Sequence, residues 1–189
     1  TQYTFKGRTG IGTGEEALRQ ALLFNGYAGH IWNKVFSTAY WKQDGVIRLP
    51  EMDPAFAVGE DCEWLVRMLR PYRNVVFLSD CLYNYLVRSD SAVNIRQFTE
   101  ARLTEIPARE KIAQEAAAVW PALEDPARAK AYARLIQNGK LAFQLRDRHA
   151  AARIKPHLSK NRRSYFRCGE ISLTQKLKAI AAEVLIRFT

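Results

Sequence analysis

Long apolar runs are missing from this chain. None approaches the roughly 20 residues that a helix needs to cross a bilayer, and the first residues show no secretory leader pattern. Cysteine is scarce. Cys62, Cys81 and Cys168 are odd in number and form no C-x-x-C pair, which argues against a disulfide scaffold and for buried or free thiols in a reducing, cytoplasmic setting. His30, His149 and His157 have neither H-x-x-x-H spacing nor neighbouring cysteines, so no metal site is legible. No recognised nucleic-acid motif is present, and nucleic acid is therefore not the expected partner despite a net charge of +10. Position 1 is Thr1 rather than methionine, and we expect a processed or excised piece of a longer protein.

What is there suffices for a folded domain. A length of 189 residues, 48% of them hydrophobic, allows one well-buried domain with an appended subdomain. The charge is uneven: residues 150–189 carry nine Lys/Arg against two Glu, a balance of +7, while residues 1–149 balance at +3. A basic tail of that kind fits an anionic surface or a solvated face.

Local signals divide the chain. Thr13 followed by Glu16 is a capping box that opens a helix over residues 14–25, carried by Ala17, Leu18, Ala21, Leu22 and Leu23 and stopped at Gly26. His30 to Phe36 reads as a short strand or tight turn before a helical stretch around 37–43, which Asp44-Gly45 breaks. Val46 to Leu49 is a brief strand, and 50–58 a loop. Val75 to Leu78 and Cys81 to Val87 have strand composition. Helices follow: 96–119, interrupted by Pro107; 126–148, capped by Asp125-Pro126, with Ala129, Ala133, Ile136, Leu141 and Leu145 inward; and a last helix capped by Ser172. In that helix Leu173, Leu177, Ile180, Val184, Leu185 and Phe188 share a face. The face either packs on the preceding helices or, with the basic segment before it, lies over residues 155–189 on an anionic membrane.

Glu60-Asp61 holds the centre of the sequence. Cys62, Leu65, Val66 and Leu69 fall at i, i+3, i+4 and i+7 and give the helix one buried stripe, which Pro71 ends. First-turn carboxylates complement the helix dipole; held rigidly by that stripe, they can also do chemistry.

Three segments in order carry a resemblance: Trp32-Asn33-Lys34-Val35-Phe36, then Glu60-Asp61, then Tyr83-Asn84-Tyr85-Leu86-Val87-Arg88-Ser89-Asp90-Ser91. With the helix around Glu15-Glu16, they resemble the second half of a family 2 glycosyltransferase of GT-A fold, over residues 13–91. Leu86 stands where that family carries arginine.

The resemblance implies an inverting transfer from a nucleotide-sugar donor to an acceptor hydroxyl, in cell-surface polysaccharide synthesis. Asp61 would be the general base. Glu60 would support the site or face solvent, and Trp32 would be a sugar platform or core. Asn33 and Lys34 would face the donor phosphates or hold a turn, and Arg88 with Ser91 would contact phosphate or form a salt bridge. The family's D-x-D, which holds a divalent Mg or Mn on the donor diphosphate, has no counterpart in residues 1–58.

The expected fold class is therefore α/β, mostly helical by content. Residues 1–93 would be the second, acceptor-side half of a GT-A-like domain with short strands, and 94–189 an α-helical C-terminal extension with a basic amphipathic tail. The nucleotide-binding first half, and with it the metal, would be absent and the chain alone inactive. Its expected partners are the donor and a saccharide acceptor, and its location cytoplasmic or peripheral at the inner face of a membrane. The rival is a non-enzymatic basic module that binds nucleic acid or an anionic membrane surface.

Overall fold

Thr13 Oγ1 accepts the backbone N–H of Glu16 at 3.2 Å and so starts the first helix where the capping signal places it. In the computed structural model, which describes residues 9–24, 26–80, 82–83 and 98–189, the elements follow as β1 (Gly10–Gly12), α1 (Gly14–Leu22), β2 (Lys42–Gln43), β3 (Val46–Ile47), α2 (Glu60–Leu69), β4 (Val75–Phe77), α3 (Glu100–Leu103), α4 (Glu105–Val119), α5 (Glu124–Leu145), α6 (Arg148–Arg167) and α7 (Leu173–Arg187). The fold is mixed but rich in helix. Its described strands form two small antiparallel sheets, β1 with β4 and β2 with β3. The strand expected over 81–87 lies outside the described residues apart from Leu82 and Tyr83, and Arg88 and Ser91 lie outside them altogether.

Two apolar clusters hold these elements. The first joins Leu18 and Leu22 of α1, Leu65, Val66 and Leu69 of α2, Ile112 and Ala116 of α4, and Leu123. Each fully buried Leu or Ile there contributes roughly 1.5–3 kcal/mol, and the stripe read from the sequence is the face α2 buries. The second cluster joins Tyr132 and Leu135 of α5, Ile154, Leu158 and Tyr165 of α6, and Ile186 of α7. Helices α4 and α5 contribute to both, so residues beyond 94 complete the core that holds α2.

Several elements differ from expectation. Of the two readings of residues 30–36 the turn is the one found, over residues 31–33, whereas residues 37–43 form a 3-10 turn, Thr38–Trp41, that runs into β2 in place of the expected helical stretch. The break expected at Pro107 falls at Thr104 instead. Pro107 then sits in the first turn of α4, where a missing N–H has no intrahelical partner to lose. Helix α5 begins at Glu124, after a 3-10 turn, so Asp125 is not its cap. Its carboxylate accepts from Ser164 Oγ of α6 at 2.6 Å.

Leu145, expected inward, is exposed; Tyr132, Leu135, Asn138 and Ala142 turn inward with Ala129 and Ile136. On α7 the buried residues are Ala179, Ala182, Glu183 and Ile186, and the large apolar stripe faces out. On that buried face Ile186 fits against Gly139 of α5, in the space a Cβ would take.

Candidate functional site

The site forms where the turn over residues 27–34 meets the first turn of α2. Gly59 caps α2 without a side chain, and Asp61 Oδ1 accepts the N–H of Cys62 at 2.7 Å. Gly29 lies directly against Cys62: a Cβ there would stand 2.7 Å from Cys62 Sγ, closer than real atoms approach, so only glycine lets the turn in this far. That contact carries His30 to the helix mouth. Its Nδ1 lies 3.3 Å from Asp61 Oδ2.

The Trp-Asn-Lys segment fixes the turn. Asn33 Nδ2 donates to Tyr27 O at 3.0 Å, and Lys34 Nζ donates to Ala28 O at 2.9 Å, to Asn33 Oδ1 at 2.7 Å and to His30 O. All three Lys34 protons are engaged inside the turn, so these two side chains hold backbone. Burial lowers the Lys34 ammonium to about 8, with Cys62 and Asp61 acting the other way. Trp32 stands in an aromatic row: its ring stacks on His30 at 5.4 Å between centroids and on Tyr83 at 4.8 Å, inclined by 18° and 29°.

The two adjacent carboxylates differ. Burial pushes Asp61 up, but the hydrogen bonds from His30 and the Cys62 N–H, with the charges of His30 and Arg109, outweigh it and hold Asp61 below its ordinary value. Glu60 is raised, first by burial and then by the charges of Asp61 and Glu105, against its own backbone contacts. Neighbouring acids pushed apart in this way suit different tasks. Asp61 is an ionised proton acceptor at neutral pH, and His30, with its side chain 51% exposed, keeps its outer ring edge open to solvent.

Glu60, Asp61, Trp32, Asn33 and Lys34, singled out in the sequence, thus gather in one neighbourhood; Arg88 lies outside the described residues. His30 was not among the residues singled out. The signal was its place two residues before Trp32, in a chain with only three histidines. Among the described residues no group of three or more His, Cys, Asp or Glu converges as a metal site would require. His30 and Asp61 alone do not make the donor set of a divalent cation, and no step is assigned to one. Among the described residues no helix is long and apolar enough to cross a membrane. Comparison with family models, with curated proteins and with solved structures gives no match to this chain.

Proposed function

We propose that this chain is the acceptor side of an inverting, GT-A-like glycosyltransferase that moves a sugar from a nucleotide-sugar donor to a saccharide hydroxyl. The carrying observation is the hydrogen-bonded pair His30–Asp61 at the mouth of a rigidly packed helix, beside the aromatic row of Trp32. In the reaction the acceptor oxygen bonds to the anomeric carbon on the face opposite the leaving nucleoside diphosphate, whose bond to that carbon breaks. The hydroxyl proton passes to the Asp61 carboxylate, which His30 orients. Because Asp61 lies below its ordinary pKa it is a weak base, and its value here is position rather than basicity. Asn33 and Lys34 keep the turn, and hence His30, in register.

The test is a transfer assay with a panel of nucleotide sugars and saccharide acceptors, on the protein joined to a donor-binding half. Asp61→Asn loses turnover while its circular dichroism and melting temperature stay those of the parent. Turnover that survives this change removes Asp61 as base. The 189-residue chain by itself shows no transfer, and detectable transfer by it would overturn the division of labour proposed here.

A further inference from the structure

Helix α7 turns its large apolar side chains outward. Leu173, Leu177, Ile180, Val184 and the cap residue Phe188 recur every three to four positions and are all exposed, with Leu173 at 73%, Leu177 at 57% and Phe188 at 87%. At about 100° per residue they form one narrow stripe along the helix. The opposite side, with Ala179, Ala182 and Ile186, is what α7 buries in the bundle, so the stripe is not a core face awaiting a small rearrangement.

The charges around the stripe are of one sign. Lys176 and Arg187 flank it on one side of the wheel and Lys178 on the other. Helix α6 adds Arg162, whose guanidinium meets Glu183 of α7 at 3.1 Å. Residues 148–189 contain only two acids, Glu170 and Glu183. Glu183 is turned inward: Tyr132 donates to it at 2.5 Å, and Arg162 and Arg187 close around it. The one acid on α7 is thereby withdrawn from its outer surface, which leaves apolar side chains between cations.

We infer that α7 is a surface-binding helix that lies flat on an anionic lipid membrane, its stripe in the acyl boundary and its lysines at the headgroups. A second copy of the chain is a poor occupant. Two-fold pairing of this face would bring the basic residues Lys176, Lys178 and Arg187 of both copies together with no exposed acid on the helix to meet them. An anionic bilayer satisfies both features at once, because apolar burial and attraction of basic residues act together at such a surface. This inference stands apart from the glycosyltransferase reading and uses none of its residues.

The test is co-sedimentation of the whole chain with vesicles of phosphatidylcholine, with and without phosphatidylserine. The chain pellets with the anionic vesicles and is released as salt rises. Lys176→Ala and Lys178→Ala each weaken partitioning by about fivefold. Leu177→Ser with Val184→Ser abolishes it, with helix content unchanged because both sites are exposed. Equal binding to both vesicle types would overturn the electrostatic part. Failure to bind vesicles, with a dimer in sedimentation velocity that the Leu177 and Val184 changes dissociate, would assign the face to self-association. Retention of duplex DNA in place of vesicles would assign it to nucleic acid. Either result overturns the inference.

Discussion

His30 Nδ1 and Asp61 Oδ2 meet at 3.3 Å although 31 positions separate them in the chain. The contact exists because Gly29 lets the turn touch Cys62, and it helps hold Asp61 ionised. His30→Gln removes the charge and loosens the hydrogen bond, so the Asp61 pKa rises. Carboxyl carbon NMR titration of parent and variant reads this directly. An unchanged Asp61 midpoint would show that burial, the Cys62 N–H and Arg109 alone set its state.

Glu105 supplies a second prediction, on acid stability. It is 2% exposed, and its oxygens accept from Arg109 at 3.0 Å, Arg134 at 2.6 Å and Asn138 at 2.9 Å. Burial alone would raise it, yet the charges of Arg109 and Arg134 and the hydrogen bonds of Arg134 and Asn138 bring it from 4.5 to about 2. A carboxyl depressed in the folded state contributes stability that is fully present above its unfolded value and is lost as pH falls from there through the folded one. The contribution here is on the order of 3 kcal/mol, lost between about pH 4.5 and 2. Glu105→Gln also leaves the largely covered Arg109 without its carboxylate partner, so at neutral pH it destabilises by roughly 3–5 kcal/mol. Urea unfolding against pH measures both, and the variant's acid slope in that window is the shallower.

Lys34 makes a contribution of opposite sign at neutral pH, destabilising rather than stabilising, although stability again rises with pH. Its folded value of about 8 lies below 10.5, so the folded state gives up the proton first. The burial penalty is complete below about pH 8 and is relieved as pH rises towards 10.5. In Lys34→Met the penalty and the three donated hydrogen bonds both vanish. The stability of the parent relative to this variant therefore increases from pH 7 to pH 9.5. A pH-independent difference, measured by chemical denaturation, would show that the ammonium is not desolvated in the turn.

What could be read in advance was what depends on near neighbours. Thr13 and Ser172 cap helices within three residues of themselves, and the stripe Cys62, Leu65, Val66, Leu69 is periodic within one helix. Helix α6 went unread because its buried face includes Asn161 and Ser164, polar residues made tolerable by Glu110 and Asp125, partners outside any local window. His30 was missed for the same reason. The stripe of α7 was found, but periodicity cannot say which of two faces a bundle takes. That choice turns on Ile186 and on the room left for it by a glycine in another helix.

That glycine makes the last prediction. A Cβ on Gly139 would stand 2.3 Å from Ile186 Cδ1 and 2.7 Å from Ile186 Cγ1, so α5 and α7 pack at a separation that alanine does not allow. Gly139 lies inside a helix, where replacing glycine by alanine normally gains about 1 kcal/mol. Overpacking of a filled core loses roughly 1–3 kcal/mol, and since Ile186 is fully buried the clash outweighs the gain. Gly139→Ala therefore lowers stability despite its better helix propensity. Ile186→Val removes the clashing Cδ1 and by itself costs about 0.5–1.5 kcal/mol. Together the two changes are less damaging than their sum, because losing Cδ1 removes the closest part of the contact that the new methyl creates and leaves only the Cγ1 approach. A thermal-unfolding double-mutant cycle gives the coupling, and a value near zero would mean that α7 shifts away from α5 rather than holding its place.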